Sequence, residues 1–181
     1  MSGERGMPTH TVYLTGHDGE KSVFLPQRAL KWGQYDDGKM PMAVVYINKN
    51  PADLNNDADL GHDRRLNNDR VGLVSNGGAV ARYVDLAPAY TCMMHRTQSL
   101  DYGLVTDGEA ECVLEDGTAQ LMRPGDVMVQ RYTVHAWRNP SQTAWARIFF
   151  VLLDCQPLSI NGKLLKEDLG RGAAYVPSSD N

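Results

Sequence analysis

Long apolar stretches, a basic excess and paired cysteines are all missing from this 181-residue chain. The longest unbroken apolar run, residues 148–153, has strand length, far below the roughly 18 residues of a membrane span. Lys and Arg number 18 against 22 Asp and Glu, for a formal net charge of −4. A surface of that sign offers no basic face to nucleic acid or to an anionic bilayer, so neither is an expected partner. The three cysteines, Cys92, Cys112 and Cys155, form neither an even framework nor a C-x-x-C pair. They read as reduced thiols. The opening MSGERGMPTH is too polar for a secretory apolar region, and the expected location is cytoplasmic. Cys92 lies three residues before His95, but no second close ligand pair completes a zinc pattern.

What is present is an ordinary globular balance, 42% hydrophobic and 22% charged, in a length that suits one domain. Residues 11–14 and 22–25 are strand-like, with a His17-Asp18-Gly19 turn between them. Residues 42–47 form a solid apolar strand, and 48–70 a long polar loop with a helical turn beginning at Asp53 or Asp57. From Val71 the texture changes. Short apolar runs at 80–86, 91–97, 100–106, 111–114, 120–122, 127–130, 135–138 and 144–153 alternate with turn chemistry such as Asp107-Gly108, Asp116-Gly117 and Pro124-Gly125-Asp126. Such spacing predicts an antiparallel barrel or sandwich. No segment before Gly162 has convincing helical period; residues 163–169 are expected to form one short helix, and 175–181 a loose end. The chain therefore divides into 1–70 (strands and a loop packing on the barrel or on a partner), 71–160 (the barrel) and 161–181 (the tail).

Candidate chemistry lies in Met94-His95-Arg96-Thr97-Gln98-Ser99-Leu100-Asp101-Tyr102-Gly103. With period two, His95, Thr97, Ser99, Asp101 and Gly103 share a face. Small polar and ionisable groups flanked by apolar strands line a polar cavity better than a core. Some forty residues on, His135-Ala136-Trp137-Arg138-Asn139 supplies a second histidine that could meet the first inside a barrel. Imidazoles with a pKa near 6.5 serve as general acid and base, with Asp101 orienting one ring. Thr97, Arg131, Tyr132, Trp137 and Arg147 are the candidate substrate-binding residues. Arg147 attracts notice because an unpaired charge in an apolar strand is costly; it pairs with an acid or anchors a substrate carboxylate.

These segments resemble the cupin family. His95 stands at the first histidine of its first motif, Thr97 at the second, Asp101 at the glutamate, and Gly108 closes the motif. In the second motif Gly125, His135 and Asn139 match, while Gln130-Arg131-Tyr132 replaces the usual Pro-x-Gly turn. HRTQSLDYG, PGDVMVQRYTVHAWRN and FFVLLD are similar to a subgroup of small stand-alone cupins found in bacteria and in fungal natural-product clusters, in which position 132 is expected to be Gly. The resemblance implies an all-β fold: a single-domain antiparallel β-barrel of the double-stranded β-helix or jelly-roll type, with an N-terminal strand arm and a short C-terminal helix. It implies a homodimer with exchanged N-terminal arms. It also implies a small-molecule enzyme, foremost a lyase (dehydratase, decarboxylase or cyclase) acting on an oxygenated polyketide-like or aromatic metabolite. One alternative is an oxygenase holding a divalent ion (Fe, Zn, Mn or Ni) on His95, Asp101 and His135, a facial triad; without an ion no cofactor is implied. The other is a non-catalytic metabolite binder.

Overall fold

The computed structural model describes residues 10–66 and 71–179. The N-terminal arm carries β1 (Thr11–Val12), β2 (Thr15–Asp18), β3 (Lys21–Phe24), β4 (Arg28–Ala29) and β5 (Trp32–Gly33). Then follow β6 (Met42–Lys49), the helix α1 (Ala58–Leu66), β7 (Gly78–Leu86), β8 (Ser99–Asp107), β9 (Ala110–Leu114), β10 (Ala119–Met122), β11 (Val127–Arg131), β12 (His135–Arg138) and β13 (Ala146–Asp154). A terminal hairpin, β14 (Ser159–Ile160) and β15 (Lys163–Leu164), precedes a short 3-10 turn at Gly170–Ala174.

Two antiparallel sheets, ordered β11-β8-β13-β7-β6-β5 and β10-β9-β12, form the barrel. Period-two burial sets its inner face. Ser99, Asp101, Gly103 and Val105 of β8 are buried, as are Ile148, Phe150 and Leu152 of β13 and Val80, Arg82, Val84 and Leu86 of β7. They pack with Ala110, Cys112, Met122 and Trp137 of the smaller sheet. At Gly103 a Cβ would lie 2.7 Å from the Phe150 ring, so glycine lets that ring cross the strand. β6 precedes residue 71, where the sequence placed the start of the barrel, yet it pairs with β7 in the middle of the large sheet. The domain boundary drawn after residue 70 abuts residues outside the described ones.

The arm lies on the outer face of the same sheet. Val12 and Leu30 pack there on Ala43, with Trp32 and Tyr83 beside them. β7 is thus covered on both sides, and its outward Asp85 is fully buried. Asp85 receives two bonds from Arg147, Nε at 2.6 Å and Nη2 at 2.7 Å. The Arg147 guanidinium sits 4.8 Å from the centre of the Trp32 ring.

Four local expectations need correction. Residues 91–97 are not a strand; their backbone meets the sheets at isolated bridges such as Thr91 with Arg138 and His95 with His135. A nine-residue helix, α1, forms before Gly162, where only a helical turn beginning at Asp53 or Asp57 is expected. Polar bonds hold it: Asp63 accepts from the Ile47 amide and from Arg28, and Asp59 accepts from the Tyr46 hydroxyl. Residues 163–169 are not helical, because Asn161 and Gly162, both at positive φ, turn the chain into the β14–β15 hairpin. Residues 175–179 are not a loose end: Val176 joins the main core, and the Ser179 hydroxyl accepts from the Val74 amide. No helix among the described residues is long and apolar enough to cross a membrane.

Candidate functional site

His95 and His135 meet as a hydrogen-bonded antiparallel pair, each amide donating to the other's carbonyl at 2.9 Å. Their rings are buried side by side with centroids 4.3 Å apart. Each ring is fixed by the backbone two residues before it: His95 Nδ1 lies 2.9 Å from the Met93 carbonyl, and His135 Nδ1 lies 3.0 Å from that of Thr133. A carbonyl only accepts, so Nδ1 carries the proton in both rings and Nε2 keeps its lone pair.

Asp101 shares their cavity, which measures about 50 Å³ and is also lined by Arg82, Trp137, Phe150 and Met93. It does not orient either ring, the role the sequence suggested; backbone carbonyls do that. One of its oxygens, Oδ1, is buried without a partner. Burial pushes its carboxyl up to about 7, against the opposing pull of the Ser99 hydroxyl and of Arg82. Burial, and then the neighbouring His95 ring, bring His135 down to about 3; burial lowers His95 as well. At neutral pH both imidazoles are uncharged and the carboxyl is poised between its two forms.

Of the five candidate binding residues, Trp137 lines the cavity. Thr97 is buried nearby with its hydroxyl on that of Ser99 at 2.8 Å. Arg131 and Tyr132 face a separate, wider groove of about 1110 Å³ roofed by Leu158, Ile160 and Leu165. Tyr132 adopts φ of 56°, the left-handed conformation that favours glycine. Its hydroxyl lies 3.2 Å from the Gln98 side-chain oxygen and from the Leu165 carbonyl. Arg147 is on the outer side of the sheet, bound to Asp85. The motif residue Asn139 is architectural: its amide nitrogen bonds three carbonyls, those of Leu86, Ala87 and Ala144.

Sequence reasoning missed Arg82, which is 3% exposed and inside the cavity. The signal was there. Arg82 breaks the apolar run of β7 as Arg147 breaks that of β13, and period two groups it with Val80, Val84 and Leu86.

A three-ligand ion does not fit the site as it stands. Among the described residues no three His, Cys, Asp or Glu side chains come together closely enough to hold one. The two rings converge, but Asp101 stays apart and the Thr97 hydroxyl is engaged with Ser99.

These charge states predict an acid-labile fold. The folded value of His135 lies below its unfolded value of about 6.5, so on acidification the unfolded chain takes up the proton first. The stability contributed by neutral His135 is complete above pH 6.5 and is lost as the pH falls toward 3. His95 acts in the same direction. Asp101 opposes them: its folded value is raised, so between about 4 and 7 the native chain holds the extra proton and stability declines as pH rises. His135 and Asp101 largely offset one another over this range, so the lowered His95 tips the balance toward lost stability in acid. Urea titrations at three pH values, on the wild type and on His135→Asn, measure it. An acid-side loss in His135→Asn as large as in the wild type would contradict the burial of a neutral ring at 135.

No family model matches the chain. Curated relatives do. It is 40% identical over 171 residues to oryzines biosynthesis cluster protein J of Aspergillus oryzae, covering 92% of this chain and 95% of that protein. It is 39% identical over 170 residues to the cupin-domain-containing oxidoreductase fogC of Aspergillus ruber, covering 91% and 82%. With phomopsin biosynthesis cluster protein D of Diaporthe leptostromiformis the identity is 45% over 122 residues, and the chain spans 65% of that relative's length. An all-β barrel of this topology, and more than a third of residues shared with a named cupin-domain protein over nine-tenths of the chain, place it: the chain belongs to the cupin superfamily, among its small single-domain members.

Proposed function

We propose that this protein is a small-molecule enzyme of secondary metabolism that moves protons on an oxygenated substrate, a lyase of the dehydratase, decarboxylase or cyclase type. The observation that carries this reading is the Asp101 carboxyl, tuned to about 7 in one small cavity with two neutral imidazoles. A group whose pKa matches the working pH is the most effective general acid or base. In its ionised form Asp101 takes a proton from carbon next to a substrate carbonyl; in its neutral form it returns one to the departing oxygen or to the product carbon. The Nε2 lone pairs of His95 and His135 accept hydrogen bonds from a substrate hydroxyl and hold it against the carboxyl. Trp137 and Phe150 wall the cavity and limit water. The relatives from biosynthesis clusters support the metabolic setting.

Incubation with small 2-oxo and 3-oxo acids in heavy water tests the reading. Proton NMR is expected to show replacement of carbon-bound hydrogen adjacent to the carbonyl, at rates above the buffer control. A second reading, an oxidoreductase, is favoured by the name of the Aspergillus ruber relative. Substrate-dependent consumption of dioxygen without hydrogen exchange would select it and remove the lyase.

A further inference from the structure

Two residues that line the cavity, Arg82 and Asp101, each carry a buried polar atom without a partner. Arg82 donates through Nη2 to the Gly72 carbonyl at 2.5 Å, and its Nη1 lies 3.9 Å from the Met42 sulfur. Its Nε–H has no partner. Among the described residues no carboxylate forms an ion pair with it. The acid across the cavity, Asp101, likewise has an unpartnered oxygen, Oδ1. Buried polar groups in native proteins are almost always satisfied, and a buried cation that no carboxylate touches is costlier still. A buried guanidinium with an unused donor beside a small cavity marks the place of a missing acceptor.

Charge narrows its identity. The two imidazoles are neutral, whereas burial lowers Arg82 only to about 10, so it remains a cation at neutral pH. The other walls are apolar: Met40, Met42, Leu73, Val84, Leu86 and Leu152. We infer that the cavity is a receptor for a small monoanionic carboxylic acid, its carboxylate pairing with the Arg82 guanidinium and leaving Asp101 free for proton transfer. This names the substrate class of the site proposed above and rests on that reading for the site's use, though not for its binding. Size sharpens it further. A cavity of about 150 Å³ accommodates benzene, so about 50 Å³ admits an acid of two or three carbons, or the acid end of a longer chain.

Thermal unfolding of the full chain provides the test, with sodium acetate or propionate against acetamide or propionamide and with ionic strength held by chloride. Saturating acid is expected to raise Tm by about 2 to 5 °C; the amides, of the same shape but uncharged, should leave it unmoved. The rise should vanish in Arg82→Gln and survive in part in Arg82→Lys. Should the variants not fold, the acid-against-amide comparison on the wild type decides alone, repeated by the fluorescence response of Trp137. Equal shifts from acid and amide, or an undiminished response in Arg82→Gln, would overturn the inference and leave a cavity that holds water or a neutral group. Binding needs no turnover. Acid binding without hydrogen exchange would leave this inference standing and remove the lyase, and the reverse result would do the opposite.

Discussion

Replacing Asp101 by Asn is expected to lower turnover by about 10² to 10⁴, the usual contribution of a positioned general acid or base. Asn keeps the size and the Ser99 contact but cannot carry a proton, so folding should be spared. The limb of the pH–rate profile near 7 should disappear with it, since that limb belongs to the Asp101 carboxyl. His135→Ala and His95→Ala should also lose most activity. Their profiles should keep the limb, because neither ring changes charge near neutrality. If Asp101→Asn turns over at the wild-type rate on the identified substrate, the proton-transfer reading fails. If the histidine variants alone are dead, the rings carry the proton instead, as the residue pattern first suggested.

The largest effect on stability is expected away from the site. Asp85→Ala leaves the Arg147 guanidinium buried under the arm without its carboxylate, and breaking a buried pair in this way costs about 3 to 5 kcal/mol. Asp85 is fully buried and Arg147 is 5% exposed, so water cannot rescue the orphan. Replacing both partners by apolar residues, Asp85→Leu with Arg147→Met, should recover most of the loss, because the uncompensated charge is then gone. Urea unfolding of the two single variants and the double variant measures this. A single-variant cost below about 1 kcal/mol would mean that the pair is wetter than its burial shows.

How much of this was legible in the sequence depended on the kind of signal. His95 and His135 lie forty residues apart, and their convergence followed from motif spacing. The inward placement of Asp101 followed from period two along β8. The same period also separates Arg82, which faces in, from Arg147, which shares its face with outward-pointing Phe149; applied to β7 and β13 it would have exchanged their roles. The extent of α1, beyond the helical turn expected at Asp53 or Asp57, was hidden for a different reason. The helix has no apolar stripe, and carboxylates bonded to β6 and to Arg28 hold it, contacts that no local window contains. The terminal hairpin was legible in Asn161-Gly162, the strongest short turn signal in that segment, but was read as a helix start. The charge states of the cavity were out of reach, because they depend on burial and on the distance between rings.

The carboxyl-terminal segment has a practical bearing on any work with this molecule. The backbone of Asp168 is bridged to Arg96, one residue from His95, and Gly170 lies so close to the Met94 carbonyl that a Cβ there would be 2.7 Å away. Leu169 and Val176 are buried beside Met93. The strip that fixes one ring is therefore clamped from behind by residues 168–176. A truncation that removes residues 168–176 would disturb the imidazole pair from a distance, and loss of activity in such a preparation would say nothing about the chemistry.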